Sequence, residues 1–334
     1  MGKITIKYMN GSEKEFEIIN EPVPHYVVES SKELHGWFNY NYQDAGKREC
    51  SQERMLLNPY NGCSVGCYFC YTKNMGTYFK AFWDTPTHPV AVFKDFDKVV
   101  EKQLSRLKIA SCGYISPTTD GFQTLEKKYH LSERIVKVFF DNDLPVEFIT
   151  KKGSNVPDTV YEMIANHPYK HSFCQYTCFT NKDDVLKSIT SDADTFAVQC
   201  KAIERARELG VENVIARFDP IIPTVTDDPA DLEFMFEEVA AAGATHVIMS
   251  SIDIPSKRKK DFYGFLGKIA KLDDIKALFE KNGQMVGRDY NATMNYRREL
   301  FGLGKKLATK NELTFSFAWN SRSPRRTGRS GIEG

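Results

Sequence analysis

Cys63-Ser64-Val65-Gly66-Cys67-Tyr68-Phe69-Cys70 sets three cysteines at C-x3-C-x2-C spacing, with one glycine and two aromatics between them. Thiols crowded in this way hold a metal or carry chemistry. Thiolate is the usual ligand of iron–sulfur clusters, so three on one loop can bind three corners of a [4Fe–4S] cube. The remaining iron then lacks a protein ligand, and an open metal position is where a substrate or cofactor binds.

The chain downstream of the loop indicates the scaffold. Residues 95–109 read as a helix, with Phe96, Val99, Val100, Leu104 and Leu107 on one apolar face. Strand Cys112 to Ser116 then runs into Pro117-Thr118-Thr119-Asp120-Gly121. A helix is expected near 131–141, with Ser132 as cap, then strand Val146 to Thr150 ending at Lys151-Lys152-Gly153. Next come helix 157–166, strand Ser172 to Thr180 and helix 193–209, closed by Gly210. Strand Asn213 to Phe218 ends at Asp219-Pro220, helix 228–242 stops at Gly243, and strand His246 to Ser251 comes after it. Helices are expected over 262–281 and 289–309, then strand Leu313 to Phe317.

Short strands alternating with helices predict right-handed βαβ units on a parallel sheet. The expected fold is α/β, a partial (β/α)6-type barrel over residues 58–320. Ahead of it, Ile4 to Tyr8 and Glu15 to Ile19 alternate around Asn10-Gly11, a hairpin signal. Residues 1–57 are read as this small hairpin extension and an irregular wrap that carries the aromatic patch Trp37 to Tyr42. Residues 321–334 read as a basic, disordered tail. In such barrels the chemistry sits where strands end. That rule marks Thr118, Thr119, Asp120, Lys151, Thr180, Arg217, Asp219, Ser250 and Ser251, with the cysteine loop over the same face.

Bulk properties narrow the class. The 334 residues are 41% hydrophobic and 27% charged, with 45 basic against 44 acidic side chains. Nothing in that balance demands nucleic acid or membrane, and no apolar run is long enough to span a bilayer. The first residues alternate and lack a signal-peptide core. Eight cysteines, three of them clustered, make a poor disulfide framework, so a reducing cytoplasmic location is expected.

The cysteine motif resembles the radical SAM signature, and its surroundings resemble the spore photoproduct lyase-like branch. Asn58-Pro59-Tyr60-Asn61-Gly62-Cys63 looks like that branch's lead-in, and Cys67-Tyr68-Phe69-Cys70-Tyr71 like its core. Ser116-Pro117-Thr118-Thr119-Asp120-Gly121-Phe122-Gln123, Thr150-Lys151-Lys152 and Ile221-Ile222-Pro223 resemble its later motifs in the same order. The similarity covers about residues 58–255. It implies a [4Fe–4S] cluster held by Cys63, Cys67 and Cys70, with S-adenosylmethionine (SAM) chelating the open iron by its amino and carboxylate groups. Reductive cleavage of SAM then gives a 5′-deoxyadenosyl radical that takes a hydrogen atom from substrate. The hard chemistry belongs to the cofactor, which the protein positions.

The resemblance also assigns roles. Phe69 is expected against the adenine, or packed in its loop, and Tyr71 to hold substrate, relay hydrogen, or serve as a structural tyrosine. Thr118, Thr119 and Asp120 are candidates for the SAM amino group or ribose, Lys151 for the SAM carboxylate or the substrate, or else a solvated lysine, Arg217 for a carboxylate, and Gln175 and Thr177 for the ribose. The lyase branch uses a cysteine as hydrogen donor where Pro117 stands here. Cys112, five residues earlier, is either a substitute donor or a structural thiol. Lyase activity is therefore open, and rearrangement or modification is an alternative outcome. Cys174 and Cys178 share one strand face, as core thiols or, with Cys200 and Cys50, as a second cluster.

Lys257-Arg258-Lys259-Lys260 and the tail arginines Arg322, Arg325, Arg326 and Arg329 are candidate phosphate contacts, or a solvated loop and tail. The expected substrate is a thymine-type base in DNA, damaged or modified. The alternatives are a small molecule or peptide, or a non-enzymatic iron–sulfur module that binds nucleic acid. A monomer served by an electron donor such as flavodoxin or ferredoxin is expected.

Overall fold

A computed structural model describes residues 2–7, 11–29, 55–75, 79–107, 110–286 and 289–317. Asn10, the aromatic patch at 37–42, Cys50 and the tail arginines lie outside these residues.

The centre is a seven-stranded sheet. Its strands are β1 (Met55–Leu57), β2 (Gly113–Ile115), β3 (Val146–Thr150), β4 (Phe173–Thr177), β5 (Val214–Ile221), β6 (His246–Ser251) and β7 (Thr314–Phe317). Sheet order is sequence order, and every pairing is parallel: Leu56 faces Tyr114, Phe148 faces Cys174, and Ala216 lies between Tyr176 and Val247. Among the described residues no pairing joins β1 to β7, so the arc is open.

Each crossover carries a helix: α1 (Phe96–Leu104), α2 (Leu131–Phe140), α3 (Asp158–Asn166), α4 (Phe196–Glu208), α5 (Pro229–Ala241) and α6 (Met294–Lys310). Their sequences dictate which face goes inward. Leu131, Ile135, Val136 and Phe139 of α2 recur at three- and four-residue steps and are buried. Starts are fixed by caps: Thr195 Oγ1 accepts from Val198 N, and Asp228 Oδ1 from Ala230 N and Asp231 N. Strands covered on both faces need apolar side chains at every position, and β2 is buried throughout. One continuous core runs from Ile4 to Leu313, between sheet and helices and on to the N-terminal hairpin through Ile4 and Phe16. Cys174 and Cys178 are buried in it and Cys200 packs against it, which is the structural thiol reading.

The expected arc is therefore present, with differences outside it. The hairpin strands are Lys3–Lys7 and Glu13–Glu17, with Ile4 facing Phe16. The wrap is not wholly irregular: His25–Val28 pairs in parallel with Val90–Phe93, and Met55–Leu57 is a sheet strand. The segment expected as one helix over 262–281 is broken: Lys259–Leu266 stops at Gly267, then Leu272–Lys276 continues into a π turn at Ala277–Lys281. The helix expected from 289 begins at Met294, because Thr293 caps it and Asp289–Asn291 pairs as a strand with Gln284–Val286 and Ile254–Pro255.

Candidate active site

A cavity of about 490 Å³ opens at the carboxyl ends of the strands. Cys63, Cys67, Cys70, Phe69 and Tyr71 line it from the cysteine loop, and Thr118, Thr119, Asp120, Lys151 and Arg217 from the strand ends. The structure brings these sequence-expected residues together.

The loop is held rigidly from behind. Gln123 is fully buried; its Nε2 donates to Gly62 O (3.2 Å) and its Oε1 accepts from Ser64 N (2.9 Å). Ser191 N and Asp192 N donate to Val65 O, and Tyr68 N donates to Ile189 O. Gly62 (φ 103°) and Gly66 (φ 67°) turn in the left-handed region. A Cβ at Gly66 would meet Ser191 Oγ at 2.0 Å, and one at Gly62 the Phe82 ring at 2.3 Å. Any side chain at either place would push the thiols off the cavity wall.

Electrostatics concentrate around the loop. Burial, with Asp120 and Cys67 nearby, pushes the Cys63 thiol well above its ordinary value. Burial likewise pushes Cys67 up to about 12, against the pull of Lys151. Such thiols keep their protons until a metal centre displaces them. Burial alone would lower the Lys151 ammonium, but Cys67 and Cys63 once they are thiolates, with Asp120 and Asp219, outweigh it and raise it. The Asp120 carboxylate accepts from Thr150 Oγ1 (2.8 Å), Phe122 N (3.0 Å) and Lys151 N (2.7 Å), so it pins the ends of β2 and β3 together. Tyr71, 52% exposed, donates its hydroxyl to Pro117 O at 2.6 Å. Phe69 packs edge-on to Phe179, with ring centroids 5.4 Å apart.

Other expected residues stand elsewhere. Gln175 and Thr177 are buried on β4 and are not among the lining residues. Arg217 stands between Gln175 and the cavity: its Nη1 donates to Gln175 Oε1 (2.9 Å) and its Nη2 to Asp219 (2.5 Å). Burial alone would raise the Asp219 carboxyl, but Arg217 and the Ser250 hydroxyl hold it below the usual range. Cys112 lies just before β2, half-buried, and does not line the cavity. Of the basic run, Lys257 and Lys260 are exposed, whereas Lys259 pairs with Glu280 (3.0 Å). Arg258 turns inward, with Nη1 donating to Cys70 O at 3.2 Å, so it supports the loop.

Sequence reasoning gave no role to Gln123 and passed over Asp253, Asn291 and Arg297, which line the opposite wall. The available signal was Arg297 itself, an arginine on the buried stripe Arg297, Leu300, Phe301, Gly304, Leu307 of α6.

The comparisons with known proteins bear directly on this cavity. The family model of the Radical SAM superfamily matches residues 57–237. The chain belongs to the radical SAM superfamily, an enzyme family whose cofactors are a [4Fe–4S] cluster and SAM. A curated relative, the Radical SAM Nalpha-GlyT isomerase of Pseudomonas phage M6, is 28% identical over 308 residues, covering 90% of this chain and 61% of the relative. An uncharacterized protein of Mycobacterium tuberculosis (strain ATCC 25618 / H37Rv) is 23% identical over 224 residues, 64% of this chain and 63% of its own length. The chain thus spans less than two thirds of the length of these curated relatives. A solved spore photoproduct lyase with bound AdoMet and dinucleoside spore photoproduct is similar at TM-score 0.63 and 13% identity, over 87% of this chain and 82% of that one. At that identity the likeness shows the fold. Among the described residues no helix is long and apolar enough to cross a membrane.

The residues present fit the superfamily's cofactors. Three thiols face one cavity, and soft thiolates suit iron–sulfur clusters. Among the described residues no three His, Cys, Asp or Glu side chains close round a single metal ion, whereas a cube is gripped at separate corners. Beside the thiols, the lining residue Thr119 has a buried Oγ1 without a hydrogen-bond partner among the described residues, a donor poised for a bound molecule.

Proposed function

We propose that this chain rearranges or modifies a thymine-type base in DNA by radical SAM chemistry. The observation that carries the reading is the single cavity shared by the three loop thiols and the polar ends of β2, β3 and β5. Cys63, Cys67 and Cys70 hold the cluster. Lys151 and Thr119 hold the polar end of SAM, Asp120 fixes both strand ends, and Phe69 packs at the cofactor's side. When bound, the cluster and SAM supply one-electron chemistry that removes a hydrogen atom from an unactivated carbon.

The chain's own residues decide what happens around that event. The aromatic and aliphatic lining (Phe79, Phe82, Trp83, Ile149, Ile252 and Phe301) excludes water, which would otherwise intercept reactive species. Tyr71 keeps an O–H at the cavity, held by the carbonyl of residue 117. Pro117 cannot donate hydrogen, so a rearrangement, which returns hydrogen without a dedicated thiol, suits this site better than lyase chemistry. The phage relative is itself named an isomerase, of Nalpha-GlyT, and the structural neighbours hold a dinucleoside photoproduct; both support a DNA base as substrate. A monomer that receives its electron from a flavodoxin or ferredoxin completes the reading.

The test is anaerobic reconstitution with dithionite, SAM and DNA carrying a deuterated, glycine-modified thymine. Deuterium is expected in 5′-deoxyadenosine. SAM cleavage without deuterium transfer from any thymine-type DNA base would overturn the substrate assignment, and no SAM cleavage would overturn the whole reading.

A further inference from the structure

The turn that leaves the cysteine loop puts a lysine at the rim of the cavity. Tyr71–Asn74 is one 3-10 turn, in which Thr72 is buried and Lys73 exposed. Lys73 Nζ lies 4.4 Å from the centroid of the Trp83 ring, and Trp83 lines the cavity. The indole is itself fixed. Its Nε1 donates to Thr72 Oγ1 at 3.3 Å, and its ring meets Phe82 and His88 edge-on, with centroids 4.7 and 5.4 Å apart. An ammonium is attracted to an aromatic face, so this lysine is held in place instead of roaming through solvent.

Its charge is poorly balanced. Among the described residues Lys73 makes no ion pair, and the carboxylate that acts on it, Asp261, is 70% exposed and stands 3.6 Å from Arg258 Nε. Arg258 is a second cation at the same place, since its Nη1 donates to Cys70 O, three residues before Lys73. Burial lowers the Lys73 ammonium from its usual value and Arg258 lowers it further, while Cys70 and Asp261 oppose. Lys257 and Lys260, exposed on either side of Arg258, continue the positive charge outward without an ion pair among the described residues. Neighbouring cations repel, and an anion seated between them relieves the repulsion.

The position of the pair selects the anion. Lys73 and Arg258 stand beside Cys70, Thr72 and Trp83 of the lining, on the side by which a substrate enters. A base that leaves its stack for a pocket keeps its phosphodiesters at the mouth. Contacts to those phosphates set register and orientation and carry no sequence information.

We propose that Lys73, seated on Trp83 and next to Arg258, binds the phosphodiester adjoining the base that occupies the cavity, so that this rim orients the DNA strand. The proposal rests on the DNA-base function above and adds the surface that grips the strand.

The probes are two fluorescein-labelled thymidine trinucleotides, one with phosphodiester linkages and one with uncharged methylphosphonates. Binding to the reconstituted, SAM-loaded enzyme is followed by anisotropy over a salt series. Each phosphate contact on a single strand contributes about 0.7 to the salt slope, or about fivefold in affinity between about 1 M and about 0.1 M salt. The wild type is expected to prefer the phosphodiester by at least that factor. Lys73→Gln should lower the slope by one contact and Lys73→Arg keep it, with no change for the methylphosphonate in either. Lys305→Gln, which neutralises an exposed lysine on α6, should leave the slope as it is.

Equal affinity for the two trinucleotides in the wild type overturns the site, whether or not any variant folds. So does a slope that Lys73→Gln and Lys305→Gln lower equally, because bulk charge would then account for it. An acidic electron-transfer protein would also suit a basic rim. Slower cluster reduction by flavodoxin in Lys73→Gln, at unchanged trinucleotide affinity, would assign the surface to that protein and overturn the proposal. Deuterium transfer from DNA without a phosphodiester preference sinks the site and leaves the function standing. A preference lost in Lys73→Gln, in an enzyme that takes no deuterium from any DNA base, supports the site and sinks the base chemistry.

Discussion

The two walls of the cavity obey different rules. The cysteine-loop wall is assembled from strand ends and a loop clamped by Gln123, Ser191 and Ile189, within the residues matched by the superfamily model. The opposite wall comes from residues 251–301, on a smaller sheet and α6, with a core of its own around Ile254, Phe262, Leu266 and Phe279. The first wall's chemistry is dictated by what cysteine and a buried lysine can hold. The second contributes the polar lining residues Asp253, Asn291 and Arg297 and holds none of the loop thiols. The two also touch, since Cys67 and Phe69 pack on the second core and Arg258 donates to Cys70 O.

The largest effect should come from the cluster ligands. Cys63→Ala, Cys67→Ala or Cys70→Ala should each abolish SAM cleavage with every substrate. The loss should exceed the roughly 10³-fold that one missing oxyanion-hole donor costs a hydrolase. Cluster absorbance and 5′-deoxyadenosine yield check it. A cysteine variant that still cleaves SAM would break the division between the walls, because the ligand set would then extend beyond the loop.

Legibility in the sequence divides along the same line. The parallel arc could be read because short apolar runs alternate with capped helical periods, each a local signal. The pairing of His25–Val28 with Val90–Phe93 joins strands far apart in the chain, and Val90-Ala91-Val92-Phe93 alone does not specify its partner. The thiols were legible from their spacing, and the place of Thr119, Asp120 and Lys151 on the cavity wall because strand ends face it. Gln175 was placed on the right strand, but Arg217 occupies the space between it and the cavity, a packing outcome with no sequence period. The second wall was obscured by reading residues 262–281 and 289–309 as uninterrupted helices, which hid the strand that carries Asn291.

A middle-sized effect concerns the foundation of the first wall. Tyr60, in the lead-in to the loop, donates to the buried carboxylate of Glu126, which also accepts from Leu131 N and Glu133 N at 3.0 Å. Burial raises Glu126 to about 7, although the Tyr60 hydroxyl and the Glu133 N–H oppose it. The folded state then holds a proton that the unfolded chain releases at lower pH. Stability should fall as pH rises from about 4.5 through about 7, by at most roughly 3 kcal/mol. Denaturation midpoints at pH 5 and pH 7.5 should differ in the wild type and converge in Glu126→Gln. An unchanged pH dependence in that variant would place the titrating group elsewhere.

The smallest effect lies next to the loop and probes how finely the first wall is tuned. Thr72 Oγ1 is 3.0 Å from Cys70 Sγ and 3.3 Å from Trp83 Nε1. An indole N–H can only donate, so the threonine oxygen accepts from Trp83 and its own proton is free for the sulfur. A ligating thiolate has no proton to give, which leaves Thr72 as the donor. A hydrogen bond to a cluster sulfur draws off negative charge and favours the reduced state. Thr72→Val should therefore lower the cluster's midpoint potential by roughly 20–60 mV, the one-electron equivalent of one net hydrogen bond. Trp83→Phe should give a smaller shift in the same direction, because Thr72 keeps its hydroxyl but loses the partner that orients it. Redox titration of the reconstituted protein followed by electron paramagnetic resonance measures both shifts. A midpoint unmoved by Thr72→Val would mean that the hydroxyl turns away once the sulfur is ligated, and the loop's tuning would then rest on the Arg258 contact to Cys70 O.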